Sequence, residues 1–122
     1  MLAVSFFPSS ETRCRCNCGW DILPTFRAKL DEIRIAYGHP ISLNSGARCL
    51  KHNAALIPPG AKKSAHIDGC AADLTYTPEL LAYIEANLEK HNIWMEHPSV
   101  TGTSRIHIDT RNRGNKNRKF FP

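Results

Sequence analysis

The sequence has no long apolar run. Residues 1–8 are hydrophobic but short, with no basic start and no small-residue cleavage site, so they read as neither a membrane span nor a signal peptide. Internal repeats and linker-like tracts are absent as well, which excludes solenoids and leaves a single domain over residues 1–122. No Cys-x-x-Cys pair occurs, so the usual zinc-knuckle spacing is missing, and five cysteines cannot all pair within one chain. No recognition motif for nucleic acid accompanies the net charge of +5.

What is present suits a soluble fold. An apolar share of 42% and a charged share of 22% are ordinary for a globular domain, and 122 residues suffice for a modest core. The positive charge gathers near the end, where Arg105, Arg111, Arg113, Lys116, Arg118 and Lys119 face one acid, Asp109. Residues 112–122 therefore read as a solvated basic tail, with attraction to an anionic polymer as the functional alternative. Cys14, Cys16 and Cys18 alternate, which on an extended segment puts three thiols on one face, able to hold a soft metal. Reduced, partly buried thiols are the expectation for these three and for Cys49 and Cys70.

Residues 1–20 read as an extended lead-in. Phe26, Leu30, Ile33 and Tyr37 recur at helical spacing between Pro24 and Gly38, which predicts a helix over 24–37. Residues 40–44 alternate as a short strand, 48–56 suit a short helix that stops at Pro58-Pro59-Gly60, and 57–65 form a loop with a basic tip at Lys62-Lys63. Residues 70–75 read as a strand. Thr77-Pro78-Glu79 opens a helix to about His91 through a capping hydroxyl, an N-terminal proline and a favourably placed carboxylate. Strands over 93–96 and 105–109 close an antiparallel hairpin around 98–103. The class is α+β: helices packed on a small antiparallel sheet with a C-terminal hairpin.

The residues able to do chemistry lie in Ser64-Ala-His66-Ile-Asp68-Gly69-Cys70-Ala71-Ala72-Asp73 and in Ile106-His107-Ile108-Asp109. His66 in a loop, Asp73 on the strand that follows Gly69, and His107 on a later strand supply three ligands and leave a fourth position for water. That is the pattern of a catalytic zinc site. A lone histidine between isoleucines is more commonly a hydrogen-bonded, half-buried residue; the whole pattern outweighs that reading. In a strand Ile106 and Ile108 share one face and His107 takes the other. His39, His52 and His91 read as solvent-facing, with His52 one helical turn from Arg48.

These motifs, with Leu30-Asp31-Glu32-Ile33-Arg34, Tyr37-Gly38-His39-Pro40-Ile41 and Leu43-Asn44-Ser45-Gly46-Ala47-Arg48-Cys49 followed by His52-Asn53, resemble a family. It is the zinc peptidases that include D-Ala-D-Ala carboxypeptidases and phage L-alanyl-D-glutamate endopeptidases, with a hedgehog-like metal site. The resemblance covers residues 26–111 and is nearest to the short, phage-type branch. It implies zinc bound by His66, Asp73 and His107, Arg48 gripping a substrate carboxylate or carbonyl, and Ser64 steadying the site or touching substrate. Arg48 could equally be a buried structural arginine near Asp68 or Asp73.

Many relatives carry a glutamate three residues before the last histidine or a histidine two before it; here those places hold Ser104 and Arg105. The general base expected instead is Glu96 on the preceding strand, with His97 as the alternative after a one-residue slip. The resemblance implies hydrolysis of peptide-stem bonds in peptidoglycan by a monomer that needs no membrane. It would be made in the cytoplasm and reach the wall after release or within a virion. The competing readings are an inactive zinc-bearing binding or assembly module and, less favoured, a nucleic-acid binder.

Overall fold

The computed structural model describes residues 5–16, 18–56 and 64–122. The loop foreseen over 57–65, with its proline stop and its lysine tip, falls mostly outside them. Among the described residues, six helices and five strands follow in the order α1 (Ser9–Thr12), α2 (Pro24–Tyr37), β1 (Leu43–Ser45), α3 (Leu50–Ala55), β2 (Ala71–Leu74), α4 (Pro78–Ala86), α5 (Leu88–His91), β3 (Trp94–Glu96), α6 (Pro98–Thr101), β4 (Ile106–Asp109) and β5 (Lys119–Phe120). The class is α+β, as the sequence indicated.

The strands form one sheet in the order β1-β2-β4-β3-β5. The first four pair antiparallel, and β5 joins β3 in parallel through Met95 with Lys119 and Glu96 with Phe120. The sheet is therefore mixed rather than purely antiparallel, and the hairpin of β3 and β4 is not its last element. Both edges are short, which limits edge-to-edge association.

One sheet face builds the core. Ala72 and Leu74 of β2, Ile106 and Ile108 of β4 and Met95 of β3 pack with Phe26, Leu30 and Ile33 of α2 and with Leu80 and Ile84 of α4. Each large aliphatic side chain buried there contributes about 1.5–3 kcal/mol. The alternation of β4 thus resolves with its isoleucines inward, and the opposite face is left for Asp73, His107 and Glu96.

Helix α2 keeps its expected bounds because Pro24 starts it and Gly38, at φ 80°, ends it in the left-handed conformation. The helix expected over 77–91 breaks at Asn87 into α4 and α5, while Thr77 caps α4 by accepting the Leu80 N–H. His91 is buried, not solvent-facing: Nδ1 meets Glu32 at 2.6 Å and Nε2 meets the Tyr83 hydroxyl at 2.8 Å. Residues 9–12 of the lead-in form a helical turn.

The basic segment is not a free tail. Arg111 pairs with Asp68, Arg113 with Asp109, and Lys119 with Glu85. Arg118 lies over the Trp94 ring and donates to Asn92. Arg105 pairs with Glu96. These five cations each have a partner within the chain.

Candidate active site

His66, Asp73 and His107 converge. Gly69, at φ 75°, turns the chain between the His66 loop and β2; a side chain there would press on the backbone of Asp21 and Leu23. In the sheet Asp73 pairs directly with His107, so both side chains leave the same face. Their donor atoms and that of His66 all lie within 4.8 Å of one another. Asp73 Oδ1 is 2.9 Å from His107 Nδ1 and 3.3 Å from His66 Nε2. Ligands about 2.1 Å from one tetrahedral zinc lie roughly 3.4 Å apart, so these residues fit such an ion.

The groups behind them favour metal-binding tautomers. His66 Nδ1 donates to the Gly46 carbonyl at 2.7 Å, which leaves the Nε2 lone pair facing Asp73. His107 Nε2 meets Asp109 Oδ2 at 2.8 Å, so Nδ1 is the atom turned to the site. Asp109 is fully buried; its other oxygen accepts from Arg113 Nη1 at 2.5 Å and from the Arg111 N–H at 3.1 Å. Asp109 and, through it, Arg113 hold the His107 ring from behind. The signal for the first was His-x-Asp on a strand, where positions two apart share a face.

The same contacts set the charge in the absence of metal. Burial opposes ionisation of Asp73, but the bonds from His107 and His66 outweigh it and hold the carboxyl far below its usual range. Burial likewise opposes the His107 cation, and bonds to Asp109 and Asp73 reverse this, raising its pKa from 6.5 to about 9. A centre built to hold positive charge is the result.

Arg48 lies beside this centre. It donates from Nη2 to Ser64 Oγ at 3.2 Å, and that oxygen also accepts the His66 N–H at 3.2 Å. Its Nε is buried and has no hydrogen-bond partner among the described residues. Burial lowers the Arg48 pKa, and the nearby Asp73 charge opposes that shift. Asp68, one structural partner considered for it, pairs with Arg111 instead. Ser64 thus braces both Arg48 and the His66 loop.

Glu96 is nearly buried on β3. The pairing of Trp94 with Asp109 and Met95 with Ile108 brings Glu96 level with His107 one step further on. Arg105 donates from Nη2 to both Glu96 oxygens, at 3.2 and 3.3 Å, and its Nε stands 3.9 Å from Asp73. His97, the alternative base, caps α6 by accepting the Ser99 N–H and stacks on Phe121. Phe120 walls the site, edge-on to His107 at 5.6 Å and covered by Arg113. Nothing in the pattern around Lys119-Phe120 announced that role.

The comparison with curated proteins gave no match. A family model described as Peptidase M15 matches residues 7–109, which include all three converging side chains, Arg48 and Glu96. M15 peptidases are zinc-dependent, and the grouped His66, Asp73 and His107 agree with that requirement. The chain belongs to the Peptidase M15 family and is a metallopeptidase.

Proposed function

We propose that this metallopeptidase hydrolyses peptide-stem bonds of bacterial peptidoglycan, as a carboxypeptidase or endopeptidase of the endolysin kind, with zinc on His66, Asp73 and His107. The observation that carries the reading is the convergence of those three donors beside Arg48, whose Nε has no hydrogen-bond partner among the described residues. Zinc bound there would polarise the scissile carbonyl and make water more acidic. Arg48 binds a carboxylate or carbonyl of the stem through its planar fork. Ser64 keeps that fork in place. Glu96 accepts the proton of the attacking water and delivers it to the departing amine. Phe120 and Arg113 keep His107 oriented and partly shielded from solvent. Resemblance of the motif to wall peptidases supports the substrate class, and action follows release from the cell or delivery within a virion.

A second reading is favoured by one contact. Arg105 engages both oxygens of Glu96, and a carboxylate so held suits a zinc-bearing binding or assembly module without catalysis. Digestion of purified peptidoglycan by the zinc-loaded protein, with new termini identified, separates the two. Cleavage that disappears in Glu96→Gln and His66→Ala supports the peptidase and names the bond. A wild-type protein that holds zinc through His66 yet releases no new termini supports the module.

A further inference from the structure

Four of the five cysteines meet at a place the peptidase chemistry does not use. The sulfurs of Cys14, Cys16, Cys18 and Cys49 all lie within 4.8 Å of one another. Cys14 and Cys16 are 3.3 Å apart, and Cys16 and Cys49 are 3.5 Å apart. Four thiolates about 2.3 Å from one tetrahedral zinc stand roughly 3.8 Å from each other. A disulfide would need about 2.05 Å between two of them. The observed spacing is that of ligands sharing an ion.

Two backbone amides reinforce this. The Cys49 N–H points to Cys14 Sγ at 3.3 Å, and the His52 N–H points to Cys49 Sγ at 3.4 Å. Such donors stabilise sulfur that carries negative charge. Alternation in Cys-x-Cys-x-Cys supplies three ligands from one segment, and the fourth comes from the cap of α3, distant in sequence. The fifth cysteine stands apart, its thiol directed to the Ala65 carbonyl. With four protein sulfurs no position is left for water or substrate, so the centre is closed and structural in type.

We propose that Cys14, Cys16, Cys18 and Cys49 bind a second zinc ion, which fastens the N-terminal segment to the loop that carries the peptidase site. Cys49 directly follows Arg48, and Gly46, whose carbonyl orients His66, is three residues earlier. Thr12, two residues before Cys14, accepts the Ala47 N–H at 2.8 Å. The ion therefore anchors the wall from which Arg48 and the Gly46 carbonyl reach the catalytic centre. It is independent of which bond that centre cuts.

The test is metal content and cobalt spectroscopy on protein kept reduced. Elemental analysis gives about two zinc ions per chain in the wild type. About one remains in the double variant His66→Ala, His107→Ala, and about one in Cys16→Ser, Cys49→Ser. Cobalt added to metal-free wild type produces an intense thiolate-to-cobalt charge-transfer band that saturates at about one equivalent. That spectrum needs no variant, so a substitution that fails to fold does not decide the matter. A wild-type protein with about one zinc and no thiolate band overturns the proposal. So does peptide mapping that finds a disulfide within the cluster in freshly isolated protein.

Discussion

Gly46 bears on both halves of the site, and replacing it with alanine is a demanding test. Its backbone lies so close to residue 12 that an added Cβ would collide with the Thr12 carbonyl oxygen and come within 2.9 Å of the Thr12 C and Cα atoms. Those are backbone atoms, so relief requires moving a chain segment rather than turning a side chain. The segment is held by the bond from Ala47 N–H to the Thr12 carbonyl at 2.8 Å. On the other side the Gly46 carbonyl orients His66 at 2.7 Å. Overpacking of this kind costs about 1–3 kcal/mol, which in a domain of this size lowers Tm by roughly 4–12 °C. Loss of the carbonyl's hold on His66 weakens zinc binding about 10-fold or more. Scanning calorimetry and chelator competition read the two effects. Gly38→Ala is the control: its φ is 80° with nothing within 4 Å of the added Cβ. It should cost about 1 kcal/mol of backbone strain and leave zinc affinity unchanged. A Gly46→Ala protein with wild-type Tm and affinity would refute the close approach and the role given to it.

Asp109→Asn removes the buried charge that steadies His107 and Arg113; we expect zinc to bind about 10–100-fold more weakly by chelator competition, and unchanged binding would remove Asp109 from the site. Met95→Ala empties a fully buried position on the core face of β3, and urea unfolding should report a loss of about 2–5 kcal/mol. Asp21 accepts from Ser9, Thr12 and the Ile22 N–H and pairs with Arg27. Burial works against its charge, these bonds outweigh burial, and its pKa falls below the ordinary 3.8. A depressed carboxylate contributes stability that is present above pH 3.8 and lost as pH falls through the folded value. Urea midpoints between pH 7 and pH 2 should accordingly fall less steeply in Asp21→Asn than in the wild type, and parallel curves would contradict the assignment.

Much of this was legible in the sequence where a local rule and the fold agree. Pro24, the spacing of Phe26, Leu30 and Ile33, and Gly38 delimit α2 without help from its neighbours. Ser64 to Asp73 and His107 could be joined because a loop, a glycine turn and a strand leave few ways to place them. Other features depend on partners far along the chain. Lys119 and Phe120 carry no strand pattern, and they pair with β3 because Trp94, Glu85 and Asp109 hold the surrounding cations. His91 becomes internal only because Glu32 and Tyr83 flank it. Cys49 joins the alternating cysteines across a contact between two loops, which spacing alone does not reveal.

Crystals grown with zinc and measured on both sides of its absorption edge test the central claim most directly. The account expects an anomalous peak about 2.0–2.2 Å from His66 Nε2, His107 Nδ1 and an Asp73 carboxylate oxygen. No peak among those three atoms in zinc-saturated crystals would contradict it.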